Sequence, residues 1–159
     1  MQFPDFFPNP EDETLFPVSL CSEDVEIPFE LPDELLLAEW LRSMAYTEGT
    51  PLEEVSYIFC SDEYLLKMNN EFLQHDYYTD VITFQTTPGA LHGDIYISID
   101  RVADNATQLN TPFLTELLRV MAHGALHLAG YGDKTPEEEA AMRQKEDEYL
   151  VKLDDLIHS

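Results

Sequence analysis

A chain of 159 residues that is 44% apolar and 11% aromatic can bury the core of one domain, and its composition excludes a disordered chain. Its 32 acidic and 8 basic residues give a formal net charge of -24, with no Lys or Arg before Arg42 and eleven carboxylates in that stretch. Such a chain shows no basic patch of the kind that neutralises nucleic-acid phosphates, and no apolar run approaching the ~20 residues of a membrane helix.

Residues 1–12 read as an irregular lead-in, with Pro4, Pro8 and Pro10. The start Met1-Gln2-Phe3-Pro4-Asp5 has no basic opening and no unbroken apolar stretch, so no secretory signal is expected and the cytoplasm is the expected location. Leu15 to Phe29 alternates loosely and predicts an edge strand limited by Pro17 and Pro28. Pro32-Asp33 opens an amphipathic helix from Glu34 to Tyr46, and Thr50-Pro51 is a turn. Val55 to Cys60 is a strand, after which Ser61 starts a helix that runs from Tyr64 to about Leu73. Cys21 and Cys60 fit neither a disulfide framework nor a CxxC site and are expected as buried thiols in a reducing compartment.

Asp80 to Phe84 predicts a second core strand, Pro88-Gly89 a turn, and Gly93 to Ile99 a third strand. Asp100 to Leu109 is helical. Thr111 is expected to cap a long helix with Pro112 at its first position, running to about Ala129 and stopped by Gly130. A last, charged helix spans roughly Pro136 to Asp154, where Glu137-Glu138-Glu139 suit the helix dipole. The order predicts one α/β (α+β) domain, a small mixed sheet of about four strands with helices mostly on one face and a central buried helix.

That long helix is apolar nearly all round, through Phe113, Leu114, Leu117, Leu118, Val120, Met121, Ala122, Leu126 and Leu128. Its polar residues Glu116, Arg119, His123 and His127 fall within an arc of about 80° at 100° per residue. A solvent-facing stripe would explain one such His. Two at i and i+4 place both rings over one turn, where their nitrogens converge on a point. The chain then turns through Gly130, Tyr131 and Gly132, and Asp133 arrives six residues after His127. His-x3-His-x5-Asp offers three protein ligands and leaves room for water or substrate, whereas a structural zinc site closes all four positions. Glu137 and His158 are the competing third ligands. Gly124 stands where a zincin carries its general base, so the ordinary metallopeptidase mechanism lacks that group, and Gly124 instead allows close approach of a strand or substrate. A non-haem Fe(II) triad is the other two-His-carboxylate option, but it suits a β-barrel and this chain does not read as one.

The run His123-Gly124-Ala125-Leu126-His127-Leu128-Ala129-Gly130-Tyr131 resembles the signature of the YbeY family of metal-dependent endoribonucleases. Met68 to Phe72, Thr79 to Phe84 and Gly93 to Ser98 match in order. The resemblance implies a single α/β domain with the metal helix at its centre and hydrolysis of single-stranded RNA. It also implies a role in ribosome biogenesis at the 3′ end of small-subunit (16S) rRNA. Two positions depart from the family pattern: Asp133 stands in place of the usual third His, and Leu73 in place of an Arg that commonly follows the aromatic.

The expected cofactor is one divalent transition-metal ion, zinc with nickel as the alternative. The expected partners are rRNA, the small subunit and basic ribosomal proteins, with no membrane and no DNA. Arg119 could hold a phosphate or pair with Glu116, which suits an indirect role two turns from His123. His75, in a polar aromatic loop, and Arg101 are candidate substrate contacts. Asp80 and Asp94 are read as closing turns at strand starts. Two other functions fit the residues alone: a metallohydrolase of small phosphoesters, and a non-enzymatic acidic protein docking on the ribosome.

Overall fold

The computed structural model describes residues 17–159. The lead-in expected over residues 1–12 lies outside the described residues. The elements follow as β1 (Val18–Ser22), α1 (Glu34–Glu48), β2 (Leu52–Cys60), α2 (Asp62–Leu73), β3 (Val81–Gln85), β4 (Leu91–Ser98), α3 (Ile99–Leu109), α4 (Phe113–Leu128) and α5 (Pro136–Ile157). Local chemistry starts the helices. Asp33, Ser61, Ser98 and Thr135 accept backbone N–H bonds at the N-caps of α1, α2, α3 and α5.

The sheet order is β1-β2-β4-β3, with β1, β2 and β4 parallel and β3 antiparallel to β4. Alternation gives each strand two faces. Val55, Tyr57, Phe59, Ile95 and Ile97 point into the main core shared with α1, α4 and α5, and Leu117, Met121 and Leu126 of α4 join them fully buried. On the opposite face, Cys60, Leu65 and Ile82 form a smaller cluster beside α2. Each fully buried side chain of this size contributes roughly 1.5–3 kcal/mol. Tyr57 donates to the Met121 carbonyl at 3.0 Å and Trp40 to the Tyr149 carbonyl at 2.8 Å, so both of these buried polar atoms are satisfied.

Two glycines set how closely the layers approach. A Cβ on Gly124 would stand 2.6 Å from Ile95 Cγ2, so the bare Cα lets α4 lie directly on β4. A Cβ on Gly93 would overlap the Phe84 carbonyl oxygen across the β3–β4 pair. Gly124 thus admits a strand, one of the two readings of its position.

Three expectations need correction. Among the described residues, the strand expected over Leu15–Phe29 is confined to Val18–Ser22, because the chain leaves the sheet to place Asp24 on Ser61, whose N–H donates to Asp24 Oδ1 at 2.8 Å. Thr111 does not cap α4. Its N–H is used to close α3 on the Ala106 carbonyl, and Pro112 occupies the N-cap without a side-chain bond. Cys21 is exposed on the edge strand rather than buried. Cys60 is buried as expected, and burial pushes its thiol up to about 12. No helix among the described residues is long and apolar enough to cross a membrane.

Gly93→Ala should destabilise the protein by roughly 3 kcal/mol or more, since the clash is with backbone that cannot rotate away. Denaturant unfolding of the variant measures it. An unchanged midpoint would contradict the close β3–β4 approach.

Candidate metal centre

The last two turns of α4 present His123 and His127 with their Nε2 atoms 3.0 Å apart. Asp133 Oδ2 lies 3.2 Å from the first and 3.3 Å from the second. The outer nitrogens are taken: His123 Nδ1 is 2.7 Å from Glu146 Oε2, and His127 Nδ1 is 2.8 Å from the Tyr131 carbonyl oxygen. A carbonyl oxygen only accepts, so His127 Nδ1 carries the ring proton. An ionised Glu146 imposes the same tautomer on His123. With both rings neutral, two Nε2 lone pairs face each other and a carboxylate, an arrangement that a positive charge between them, a proton or a metal ion, relieves. An ion with ligands at about 2.0–2.1 Å in a tetrahedron needs ligand atoms about 3.3 Å apart, so the three present fit.

The loop that delivers Asp133 is fixed at both ends. α4 stops in a Schellman pattern, Tyr131 N–H to the Leu126 carbonyl and Gly130 N–H to the His127 carbonyl, both 3.0 Å, with Gly130 at φ 108°. Beyond it, Glu138 Oε1 receives the Lys134 N–H at 2.9 Å in addition to the Thr135 N–H of the α5 capping box. Gly132 leaves space for that carboxylate, since a Cβ there would stand 2.8 Å from it. Tyr131 is held from below, its hydroxyl donating to Glu48 Oε1 at 2.9 Å, and Tyr149 donates to the other oxygen of the same carboxylate. The carbonyl that orients His127 therefore hangs from a residue tied to α1 and α5.

Glu146, 5% exposed, joins the histidine to Arg119, whose Nη1 lies 3.0 Å from Glu146 Oε1. Burial opposes its charge, but the bonds to His123 and Arg119 outweigh that and hold the carboxyl below its ordinary range. Burial likewise opposes charge on His123, and Glu146, Asp133 and Asp80 outweigh it and hold the imidazole above its ordinary value. Three carboxylates thus favour positive charge at one point. A cavity of about 560 Å³ opens over it, bordered by Asn69, His75, Tyr77, Asp80, Thr83 and Lys134 among others. Among the described residues, Thr83 Oγ1 on its wall is a buried polar atom with no partner.

Residues 22–154 match the family described as Endoribonuclease YbeY. The chain belongs to the YbeY family. It is 49% identical over 142 residues to the Endoribonuclease YbeY of Cytophaga hutchinsonii, covering 88% of this chain and 96% of that protein. It is 48% identical over 132 residues to that of Flavobacterium psychrophilum, covering 82% and 94%. The solution structure of TM1509 from Thermotoga maritima is similar at a TM-score of 0.60 and 29% identity, covering 86% of this chain and 88% of that one.

Not every residue singled out in the sequence reaches this YbeY-type site. His123, His127 and Asp133 come together, and His75 borders the cavity above them. Glu137 is exposed in the first turn of α5, and His158 bonds to the Asp154 carbonyl at the far end of that helix. Arg119 does not pair with Glu116 and is not free to hold a phosphate: Glu146 takes one arm and Asp147 the other at 2.7 Å. Arg101 stays outside the cavity, paired with Asp62 at 2.6 Å and set over the Tyr78 ring. Glu116 is buried at 8% exposure beside Arg119 and His123, where burial pushes its carboxyl up. Asp80, read as a turn residue, borders the cavity, and burial raises its carboxyl too. Asp94 points away from α4.

Glu146 was missed. One signal pointed to it: Met142, Glu146, Tyr149 and Leu153 form the buried stripe of α5, and a lone Glu on such a stripe needs a partner. Glu146→Gln should weaken metal binding roughly 10–100-fold while the helical signal persists, because it loosens the tautomer and angle of His123. Competition with a chromogenic chelator measures it, and an affinity equal to the parent's would refute the coupling.

Proposed function

We propose that the chain cuts single-stranded RNA at one divalent ion held by His123 Nε2, His127 Nε2 and Asp133 Oδ2, and that its physiological substrate is the 3′ end of small-subunit (16S) rRNA. As a member of the YbeY family the chain is an endoribonuclease, a hydrolase, and the family is metal-dependent. The observation that supports this particular site is the pair of Nε2 atoms that face each other at 3.0 Å and are closed by a carboxylate. Nitrogen ligands in this number favour zinc, with nickel next, and the Asp133 oxygen widens the range toward harder ions.

When bound there, the ion lowers the pKa of a coordinated water and supplies positive potential against a phosphate. The protein's own groups do the rest. Glu146 and the Tyr131 carbonyl keep both Nδ1 protons outward. Asp80, its carboxyl raised by burial at the cavity wall, is the group that takes up a proton from the attacking water. Among the described residues, Lys134 is the one Lys or Arg bordering the cavity, so few phosphates are neutralised directly. Placement of the RNA then falls to basic ribosomal proteins on the small subunit, in the cytoplasm.

Metal-loaded protein should cut an unstructured RNA carrying the 16S 3′ precursor sequence, and chelation or His123→Ala should abolish the cut. Asp133→Asn should lose both metal and activity with the fold intact, while Asp133→His should retain metal with an altered preference. Cleavage that persists in chelated protein, or full metal binding by Asp133→Asn together with loss in Glu137→Gln, would overturn the assignment.

A further inference from the structure

The segment from Leu73 to Asp80 rims the cavity and is tied down more firmly than an exposed connection requires. α2 ends at Gln74 in the left-handed region, φ 57°. Asn69, 1% exposed, then holds the segment twice: its side chain donates to the Tyr77 carbonyl at 2.8 Å, and its own carbonyl accepts the His75 N–H at 3.0 Å. Tyr78 is fixed separately, its hydroxyl on Glu63 at 2.8 Å and its ring under the Arg101 guanidinium at 5.0 Å.

These anchors keep two rings in place rather than burying them. His75 and Tyr77 stack with centroids 5.0 Å apart and planes 18° from parallel, and Tyr77 Oη lies 2.9 Å from His75 Nδ1. Both border the metal-centre cavity, yet Tyr77 remains 55% exposed, and neighbouring Leu73 is 41% exposed. Rings held in place at the rim of a cavity without being covered leave a flat face free to stack on a planar group. Charge narrows what binds. A cavity with Lys134 as its single Lys or Arg among the described residues, in a chain of net charge -24, draws little affinity from phosphates other than the one at the metal centre. A planar, uncharged group is what remains of a nucleotide.

We propose that the His75–Tyr77 stack is a nucleobase platform, on which one unpaired base adjoining the scissile phosphate stacks while that phosphate meets the metal centre. The proposal rests on the RNA-cleaving reading of the site and adds to it where the strand is gripped. Stacking tolerates any base, so the platform sets the register of the strand more than its sequence.

The test uses metal-loaded full-length protein and a short single-stranded RNA with 2-aminopurine at the position 5′ or 3′ of the cut, alongside the same RNA abasic at that position. Parent protein should quench the 2-aminopurine on binding. Tyr77→Ala should abolish the quench and raise Kd and KM roughly 10–100-fold, with metal stoichiometry and salt slope unchanged. Tyr77→Phe, which keeps the ring and loses only the bond to His75, should behave like the parent. The abasic RNA should bind parent and Tyr77→Ala equally weakly, since ring and base then count once. Absence of quenching in the parent, a Kd within twofold of the parent for both Tyr77→Ala and His75→Ala, or an equal loss for intact and abasic RNA would overturn the platform. A parent that quenches but does not cut would instead overturn the proposed activity and leave the platform standing.

Discussion

Two imidazole nitrogens that face each other at 3.0 Å repel unless a positive charge, a proton or a metal ion, sits between them. The far-side nitrogens of both rings face acceptors, a buried carboxylate at His123 and a backbone carbonyl at His127, which favour a proton on each Nδ1. Asp133 then closes the third side. The same field that favours a proton on His123 in the absence of an ion favours the ion once it arrives, which is why a buried acidic surround is compatible with function here.

That arrangement places demands on the rest of the fold. α4 must be rigid and central, and it is, because Gly124 lets it rest on Ile95 while its apolar faces fill the main core. α5 must bring a carboxylate to His123, and its apolar stripe of Met142, Tyr149 and Leu153 fixes the rotation that aims Glu146 inward. The loop between them must return Asp133 within a few residues. The glycine stop at Gly130, the open space at Gly132 and the Glu138 capping box define that return. Glu48 then ties the loop to α1 through Tyr131. The centre is thus a property of three helices and a turn, not of the histidine motif alone.

The motif itself was legible in the sequence, since i, i+4 spacing on a buried helix and a glycine-bounded reversal are local facts. So were most elements and the four-stranded mixed sheet, because caps, β-branched runs and glycine stops act within a few residues. What escaped the sequence depends on partners far along the chain. Glu146 meets His123 across 23 positions, and Arg119 finds Glu146 and Asp147 rather than the nearer Glu116. Asp80 reads as a turn residue until β3 is seen running beside α4. The end of β1 goes with an Asp24–Ser61 contact, and the exposure of Cys21 with the place of β1 at the sheet edge, neither of which local pattern encodes.

The most direct measurement is nitrogen-15 NMR of the imidazoles while zinc is titrated into metal-free protein. The account predicts saturation at one ion per chain, with Nε2 of His123 and His127 moving to metal-bound shifts together while both Nδ1 atoms stay protonated. A protonated Nε2 on either ring in the zinc-saturated protein, or saturation without any response from these two histidines, would contradict it.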